Sequence, residues 1–254
     1  MTIWGDYHTH TVFSHGKGSM EESVVLAISL GLKEIAITDH GFGHAFYNVR
    51  KKDYDVMINE RDRLRKKYPQ INIYLGLETN LLGFDGNIDI TLEQIKKLDI
   101  FICGYHKLVN SSIKDLFSFK IPNLLVGSTS KNNVKRKVKN TDAFIKAIEK
   151  YDIDIISHPG YGIDVYPDKI AEAAVKKDTL IELNGKRVSM SIEEIENVAK
   201  TGVKFIINSD AHSPNRIGEV SLPINKAKEA GISSQQIANV DKLPLFPNRK
   251  KRLL

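Results

Sequence analysis

Seven short runs of β-forming residues recur along this chain, each followed by a helical stretch, and that alternation restricts the fold more than any other feature. Strands are predicted over Ile3–His8, Glu34–Thr38, Ile71–Leu77, Ile100–Tyr105, Ile153–Ser157, Thr179–Leu183 and Lys204–Asn208. Several are continuous apolar runs, the pattern of a parallel strand covered on both faces. Helices are predicted over Met20–Leu30, Tyr54–Lys67, Thr91–Leu98, Asp142–Lys150, Asp168–Lys177, Ile192–Thr201 and Pro223–Ala230. Ser19 with Glu22 three residues on reads as a capping box for the first helix, and Gly231 suits the position just past the last. Seven β–α units in succession imply a parallel sheet with crossover helices. They exceed half of a doubly wound fold and fall one short of the eight-fold barrel. The expectation is therefore an α/β fold, a distorted seven-stranded (βα)7 TIM-like barrel, with an open sheet as the alternative.

The chain has 254 residues, within the range of one such barrel, and no linker composition divides it. A single domain is expected over 1–245, followed by a frayed basic tail over 246–254. About 35 residues separate the strand end at His106 from the helix near Asp142, longer than ordinary connections. This stretch, Lys107 to Thr141, carries Lys131, Lys135, Arg136, Lys137 and Lys139. It reads either as a basic lid or as an excursion with a short helix of its own. The lone cysteine, Cys103, sits in an apolar run and reads as a buried strand thiol. With no disulfide possible within the chain, no signal-like start and no apolar run long enough for a bilayer, a cytoplasmic protein without a membrane partner is expected. The formal charge of +6 is compatible with an anionic substrate but is as readily a matter of solubility.

The eight histidines carry the chemical signal. His8 and His10 end the first predicted strand, and His15 follows in the loop. His40 closes the second strand, His106 the fourth and His158 the fifth, while His212 follows the seventh. Seven of the eight thus lie at or just past strand C-termini; His44 does not, although its loop leads to the same mouth. In a parallel barrel all these ends open on one face, which is where barrel enzymes carry their chemistry. A set of imidazoles converging there is explained by metal, for which neutral imidazole is a common ligand. Glu78 at the third strand end and Asp210 two residues before His212 complete nine candidate donors. One ion takes about four, so two or three metals with a bridging carboxylate are expected. Strand periodicity sends His8 and His10 to one side, and Asp210 and His212 likewise if extended geometry persists there. Asp39 is either an orienting partner of a ligand histidine or a helix N-cap or salt-bridge partner.

The ordered series His8-Thr-His10, His15, Thr38-Asp-His40, Gly76-Leu-Glu78, Gly104-Tyr-His106, Ser157-His-Pro159 and Asn208-Ser-Asp-Ala-His212 resembles that of the PHP (polymerase and histidinol phosphatase) superfamily, and most of all its small stand-alone phosphatases of the YcdX type. The resemblance runs from about residue 5 to about residue 240. It implies a distorted seven-stranded barrel and a trinuclear site. One metal would be held by His8, His10, Glu78 and Asp210. A second would share Glu78 and add His106 and His158. The third would take His15, His40 and His212. The ions implied are zinc first, with manganese or iron as alternatives.

The chemistry expected is hydrolysis of small phosphate monoesters by a bridging metal-bound water held by Glu78, Asp210, His8 and His10, its pKa lowered from about 15.7 to about 7. Arg187, Arg216 and Lys107, each following a ligand motif or strand end, are candidate phosphate-binding cations. The alternatives are a phosphodiesterase or 3′–5′ exonuclease on nucleic acid, and a non-catalytic metal-bearing regulatory module.

Overall fold

A computed structural model of the chain describes residues 1–126 and 134–252. Seven parallel strands lie in the order β1-β2-β3-β4-β5-β6-β7: β1 (Gly5–Asp6), β2 (Glu34–Ile37), β3 (Asn72–Asn80), β4 (Ile100–Gly104), β5 (Ile155–Ile156), β6 (Leu180–Asn184) and β7 (Phe205–Asn208). The helices are α1 (Met20–Ser29), α2 (Tyr54–Lys67), α3 (Leu92–Ile95), α4 (Ile113–Asp115), α5 (Ile121–Val126), α6 (Val134–Lys150), α7 (Pro167–Lys176), α8 (Ile192–Lys200), α9 (Ser221–Glu229) and α10 (Pro247–Arg252). The barrel expectation holds. The capping box at α1 is present, with Ser19 and Glu22 exchanging hydrogen bonds.

Two apolar clusters show how the strands sort their side chains. The larger lies between strands and helices and includes Ile35, Ile37, Phe101, Cys103, Ile181, Leu183, Phe205 and Ile207. The smaller, with Tyr7, Ala36, Ile100, Ile102, Ile155, Leu180 and Ile206, fills the barrel interior. Alternation by two along each strand keeps one face inward. Interior positions therefore run from apolar at the strand starts to polar at their ends: Ala36 to Thr38 to His40, Leu180 to Glu182 to Asn184, Ile206 to Asn208. The apolar plug sits at the base, and the polar residues above it form the floor of the site.

The sheet does not pair β7 with β1 as strands. Their seam is closed by an isolated bridge between Thr9 and Ala211 and by a buried asparagine. Asn239 Nδ2 donates to Gly5 O at 2.9 Å and to Ile207 O, and its Oδ1 accepts from Ile207 N at 3.0 Å. Asp6 adds a second stitch by accepting from Ser209 N at 3.1 Å.

Two expectations need correction. The long connection after β4 carries short helices of its own, the second of the two readings given to it, but it is shorter than it reads. It contains α4, a π-helical turn (Leu116–Lys120) and α5, and α6 begins at Val134, so Lys135, Arg136, Lys137 and Lys139 are helical. The helix extends N-terminally because Asn140 and Thr141 are buried on its inner face: Asn140 pairs reciprocally with Asn123, and Thr141 Oγ1 donates to Lys137 O. Lys131 lies outside the described residues. The C-terminal segment is a docked helix rather than a frayed tail. Asn248 Nδ2 donates to Ile153 O and Lys177 O, both at 2.8 Å; Arg249 pairs with Asp99 at 3.0 Å and lies over the Tyr74 ring. Phe246 packs edge-on against Tyr7. Phe246, Asn248 and Arg249 thus close the barrel base. No helix among the described residues is long and apolar enough to cross a membrane.

Candidate metal centre

Every histidine and carboxylate singled out by its strand-end position comes to the C-terminal mouth of the barrel. His8 and His10 lie on one side of their segment, ring centroids 5.1 Å apart. His10 stands 4.4 Å from His40 and 4.3 Å from His212. His15 stacks on His40 at 4.9 Å, and His106 meets His40 edge-on at 4.7 Å and His158 at 5.3 Å. Glu78 is the hub. Its Oε1 accepts from Ser157 Oγ at 2.9 Å and lies 2.7 Å from His158 Nε2. Its Oε2 faces His40 Nδ1 at 3.0 Å, His8 Nε2 at 3.3 Å, His10 Nε2 at 3.6 Å and His106 Nε2 at 3.7 Å. Asp210 Oδ1 lies 3.2 Å from His10 Nε2 and 3.8 Å from His8 Nε2.

Local backbone makes this convergence possible. Asp210 and His158 both hold positive φ, 53° and 28°, a region that costs non-glycine residues roughly 1–3 kcal/mol. Extended geometry therefore does not persist through Asp210-Ala211-His212; instead the turn brings His212 Nδ1 to 2.9 Å from Asp210 O. Gly104 is required for another reason: a Cβ there would stand 2.3 Å from Ser157 Oγ, the hydroxyl that holds Glu78.

Whether these residues suit metal is answered by their unused atoms. His8 Nε2, His10 Nδ1 and Nε2, His15 Nδ1, His40 Nδ1, His158 Nδ1 and Glu78 Oε2 are all buried without a hydrogen-bond partner. Buried polar atoms are rarely left so, because each costs about 1–3 kcal/mol. Nitrogen and carboxylate lone pairs aimed at a common centre are donors for a divalent cation. Three groups of donor atoms lie within 4.8 Å of one another: His10, His40 and His212; His8, His10 and Asp210; His40, Glu78 and His106. This grouping differs from the partition the resemblance implies. His10 joins His40 and His212 where His15 was expected, although the His15 ring, stacked between His40 and Tyr47, also stands 4.2 Å from that of His212. His15 and His158 belong to none of the three groups, though both line the same cavity.

Electrostatics follow from burial against pairing. Burial alone would raise the Glu78 carboxyl; the imidazoles of His8, His106 and His158 reverse this and hold it well below its ordinary value. Burial opposes charge on His8 too, but Glu182, Glu78 and Asp210 outweigh it and hold that ring well above its ordinary pKa. His10 goes the other way, lowered by burial and by neighbouring His40 and His212. Cys103 is buried, its thiol pushed up to about 12 by desolvation.

Glu182 was missed, although the sequence held a signal for it. It is an acidic residue inside the apolar run Ile181-Glu-Leu-Asn184, the same anomaly that marks Glu78. Its Oε1 accepts from His8 Nδ1 at 2.8 Å and Asn208 Nδ2 at 3.0 Å; its Oε2 accepts from His158 N and Asn184 Nδ2, both at 2.9 Å. It holds a proton on His8 Nδ1, so that Nε2 is the nitrogen that would give up its proton to a metal. Asn80 does the same for His106, its Oδ1 2.7 Å from His106 Nδ1. Asp39 plays a different part from the one weighed for it. It accepts from Thr11 N, Thr11 Oγ1 and Ser14 Oγ, so it holds the loop that carries His15 rather than an imidazole.

The cavity over the centre, about 270 Å³, is lined by His15, His40, His106, His158, Asp210 and His212, with His44, Tyr47, Tyr161, Asn184, Lys186 and Arg187 around them. Of the three cations proposed from the sequence, only Arg187 lies there. Arg216 falls on a 3-10 turn and is half-exposed, its Nε bound to Glu219 Oε2 at 2.8 Å, since a carboxylate three residues on captures it. Lys107 lays its stem against the Gly162 turn, outside the cavity lining. Lys186, unremarked in the sequence, takes their place. Neither Lys186 nor Arg187 is ion-paired among the described residues; Arg187 lies over the Tyr161 ring at 5.3 Å. Asn184 shapes their turn, its Oδ1 accepting from both backbone N–H groups at 3.0 and 3.1 Å.

A parallel barrel with imidazoles and carboxylates gathered at its C-terminal mouth defines a metal-dependent hydrolase. The PHP domain profile matches residues 6–184, and the chain belongs to that family of metal-dependent phosphoesterases. It is 30% identical to a probable phosphatase of Thermoanaerobacter sp. (strain X514), over 97% of this chain and 95% of that one. It is 25% identical to the DNA polymerase/3′-5′ exonuclease PolX of Bacillus subtilis (strain 168), over 95% of this chain but 40% of that one. Among solved structures it resembles the histidinol phosphate phosphatase of Lactococcus lactis, complexed with zinc, L-histidinol and phosphate. That match has a TM-score of 0.60 at 20% identity and covers 92% of this chain and 95% of the other.

Proposed function

We propose that this protein hydrolyses small phosphate monoesters, using three divalent ions, zinc by preference, held by His8, His10, His15, His40, Glu78, His106, His158, Asp210 and His212. The observation that carries the reading is the conjunction of orphaned donor atoms with two cations, Lys186 and Arg187, that have no ion pair among the described residues, on the rim of one cavity. Divalent ions acidify coordinated water and neutralise charge developing on a phosphoryl group. The protein's own groups do the rest. Arg187 and Lys186 bind peripheral phosphoryl oxygens from the β6 side, Arg187 through its planar fork. Asn184 holds both in place and also donates to Asp210 Oδ2 at 3.2 Å. Glu182 and Asn80 keep His8 and His106 in the tautomer that leaves Nε2 free. Tyr47 and Tyr161 flank the mouth and exclude water from the ester.

A compact cavity favours a small ester over a nucleic-acid strand. The basic residues of α6 do not extend it: Lys135, Lys137 and Lys139 are absent from its lining, and the last two lie over Tyr166 and Phe84. The relatives named probable phosphatase, matched over almost their full length, support the same choice. The test is to assay purified protein of measured metal content on alkyl and aryl monoesters, a diester and single-stranded DNA. Monoester turnover that is lost on chelation and restored by zinc is expected. Metal-loaded protein that turns over no monoester refutes the reading, and preferential turnover of DNA would replace it with the exonuclease.

A further inference from the structure

His44 is the one histidine left out of the donor series, yet it lines the same cavity. Its Nδ1 accepts the backbone N–H groups of Phe46 at 3.4 Å and Tyr47 at 3.2 Å. A ring nitrogen that accepts carries no proton, so the neutral imidazole must carry it on Nε2. Neither nitrogen then offers a free lone pair, and the ring is no metal donor. His8 and His106 show the opposite arrangement: their Nδ1 atoms face Glu182 and Asn80 oxygens, leaving Nε2 as the lone pair.

The ring is also held firmly. Gly43 N donates to Asp89 Oδ2 at 2.9 Å, Asn110 N to Gly43 O at 2.8 Å, and Ala45 N to Leu108 O at 2.9 Å. These bonds clamp the His44 segment against the stretch following β4. The ring stacks on His40 at 5.3 Å and stands 5.8 Å from His106 and 5.1 Å from Tyr47. It therefore occupies the layer between the donor cluster and the mouth. A phosphate whose peripheral oxygens faced ions held by the cluster, with Lys186 and Arg187 beside them, would direct its ester oxygen outward, into that layer.

Building on the phosphatase reading, we infer that His44 Nε2–H is the hydrogen-bond donor to the ester oxygen of the substrate, the atom that departs with the alcohol. In the reaction a bond forms between a water oxygen and phosphorus, and the phosphorus–ester oxygen bond breaks with its electron pair going to the ester oxygen. The N–H of His44 stabilises the charge that builds there and keeps its own proton. The proton the alcohol finally carries is the one the attacking water gave up, passed through solvent. Alkyl alcohols need such a donor most, because they cannot spread the charge; an aryl leaving group delocalises it over its ring.

The test compares zinc-loaded wild type with His44→Phe and His44→Gln on β-glycerol phosphate and p-nitrophenyl phosphate. Loss of one preorganised donor to developing charge costs about 10²-fold in kcat. That loss is expected for His44→Phe on the alkyl ester, with about a fivefold loss or less on the aryl ester by the same reasoning. His44→Gln, whose Nε2 offers an N–H at similar reach, should recover part of it. Two further readouts do not depend on turnover: zinc content should be unchanged in both variants, and long-range ¹H–¹⁵N correlation of the wild type should show the Nε2–H tautomer. Equal loss on both esters, no loss on either, departure of zinc, or an Nδ1–H tautomer overturns the inference. Wild type inactive on both esters overturns the phosphatase reading itself, a result distinct from wild-type turnover with the wrong selectivity.

Discussion

We predict that Glu182→Gln weakens metal binding about 10- to 100-fold, some 1.4 to 2.7 kcal/mol, without unfolding the barrel. The substitution keeps shape and removes one acceptor oxygen. In the native structure each Glu182 oxygen receives two donors: His8 Nδ1 and Asn208 Nδ2 on one, His158 N and Asn184 Nδ2 on the other. A glutamine has one oxygen, so neither orientation of its amide satisfies both ends. If the NH₂ faces His158 N, which cannot reverse its polarity, two donors meet in the interior at about 1–3 kcal/mol for each group left unsatisfied. If it faces His8, the imidazole escapes the clash only by moving its proton to Nε2. That is the nitrogen aimed at Glu78 and Asp210, and the ring ceases to be a donor. Either way the charge that holds His8 in place is lost. The assay is a zinc titration against a chelator of known affinity, with circular dichroism of the metal-free proteins as the control for folding. Wild-type affinity in a folded Glu182→Gln variant would refute the reasoning, because it would show that the His8 tautomer does not depend on this carboxylate.

Three further predictions rest on separate features. Gly104→Ala places a Cβ 2.3 Å from Ser157 Oγ and 3.4 Å from Glu78 Oε1; it should displace both and lower zinc stoichiometry, measured by elemental analysis, whereas full loading would show that the site tolerates the shift. Asn248→Ala takes the donor from the Lys177 carbonyl and one of two from the Ile153 carbonyl, which keeps Thr179 Oγ1, and should cost about 1–3 kcal/mol in urea unfolding, with monoesterase activity kept; an unchanged midpoint would mean that α10 does not hold the base. Lys120 is buried with its Nζ bonded to Leu81 O, and desolvation pushes it down to about 7 against the opposing pull of Asp89. The folded state then binds fewer protons than the unfolded one between about pH 7 and the ordinary lysine value near 10.4, so stability rises with pH in that window. Wild type should gain on Lys120→Met as pH rises from 7 to 10 in thermal melts, and parallel curves would contradict this.

The fold was legible because parallel strands buried on both faces are short apolar runs that few other elements imitate, and all seven were placed to within a few residues. The convergence of the histidines and carboxylates on one mouth was legible for a related reason: a histidine or glutamate directly after such a run has no place in an apolar sheet. Glu182 shows where this reading stopped. It obeys the same rule as Glu78, but β6 ended without a histidine to draw attention, and its role depends on reaching His8 from a strand 174 residues away. Arg216 and Lys107 failed for the converse reason. Adjacency to a ligand in sequence says nothing about direction when a Ser213-Pro214 turn or an exposed loop intervenes, and only contact with Glu219 or Gly162 decides where a long side chain lies. The reach of α6 and the docking of α10 were hidden because their signals, Asn140 and Asn248, are polar residues that look like surface until their buried partners are known.

The seam between β7 and β1 also bears on when this protein can come into being. Asp6 meets Ser209 across 203 residues of chain, and Asn239 reaches Gly5 across 234. A polypeptide is made from its N-terminus, so His8 and His10 leave the ribosome long before Asp210, His212 and Asn239 exist. A half-made chain has only part of its donor set and no closure to hold it. A divalent ion would therefore meet the full set of histidines and carboxylates only once the last strand and the Asn239 closure have been made.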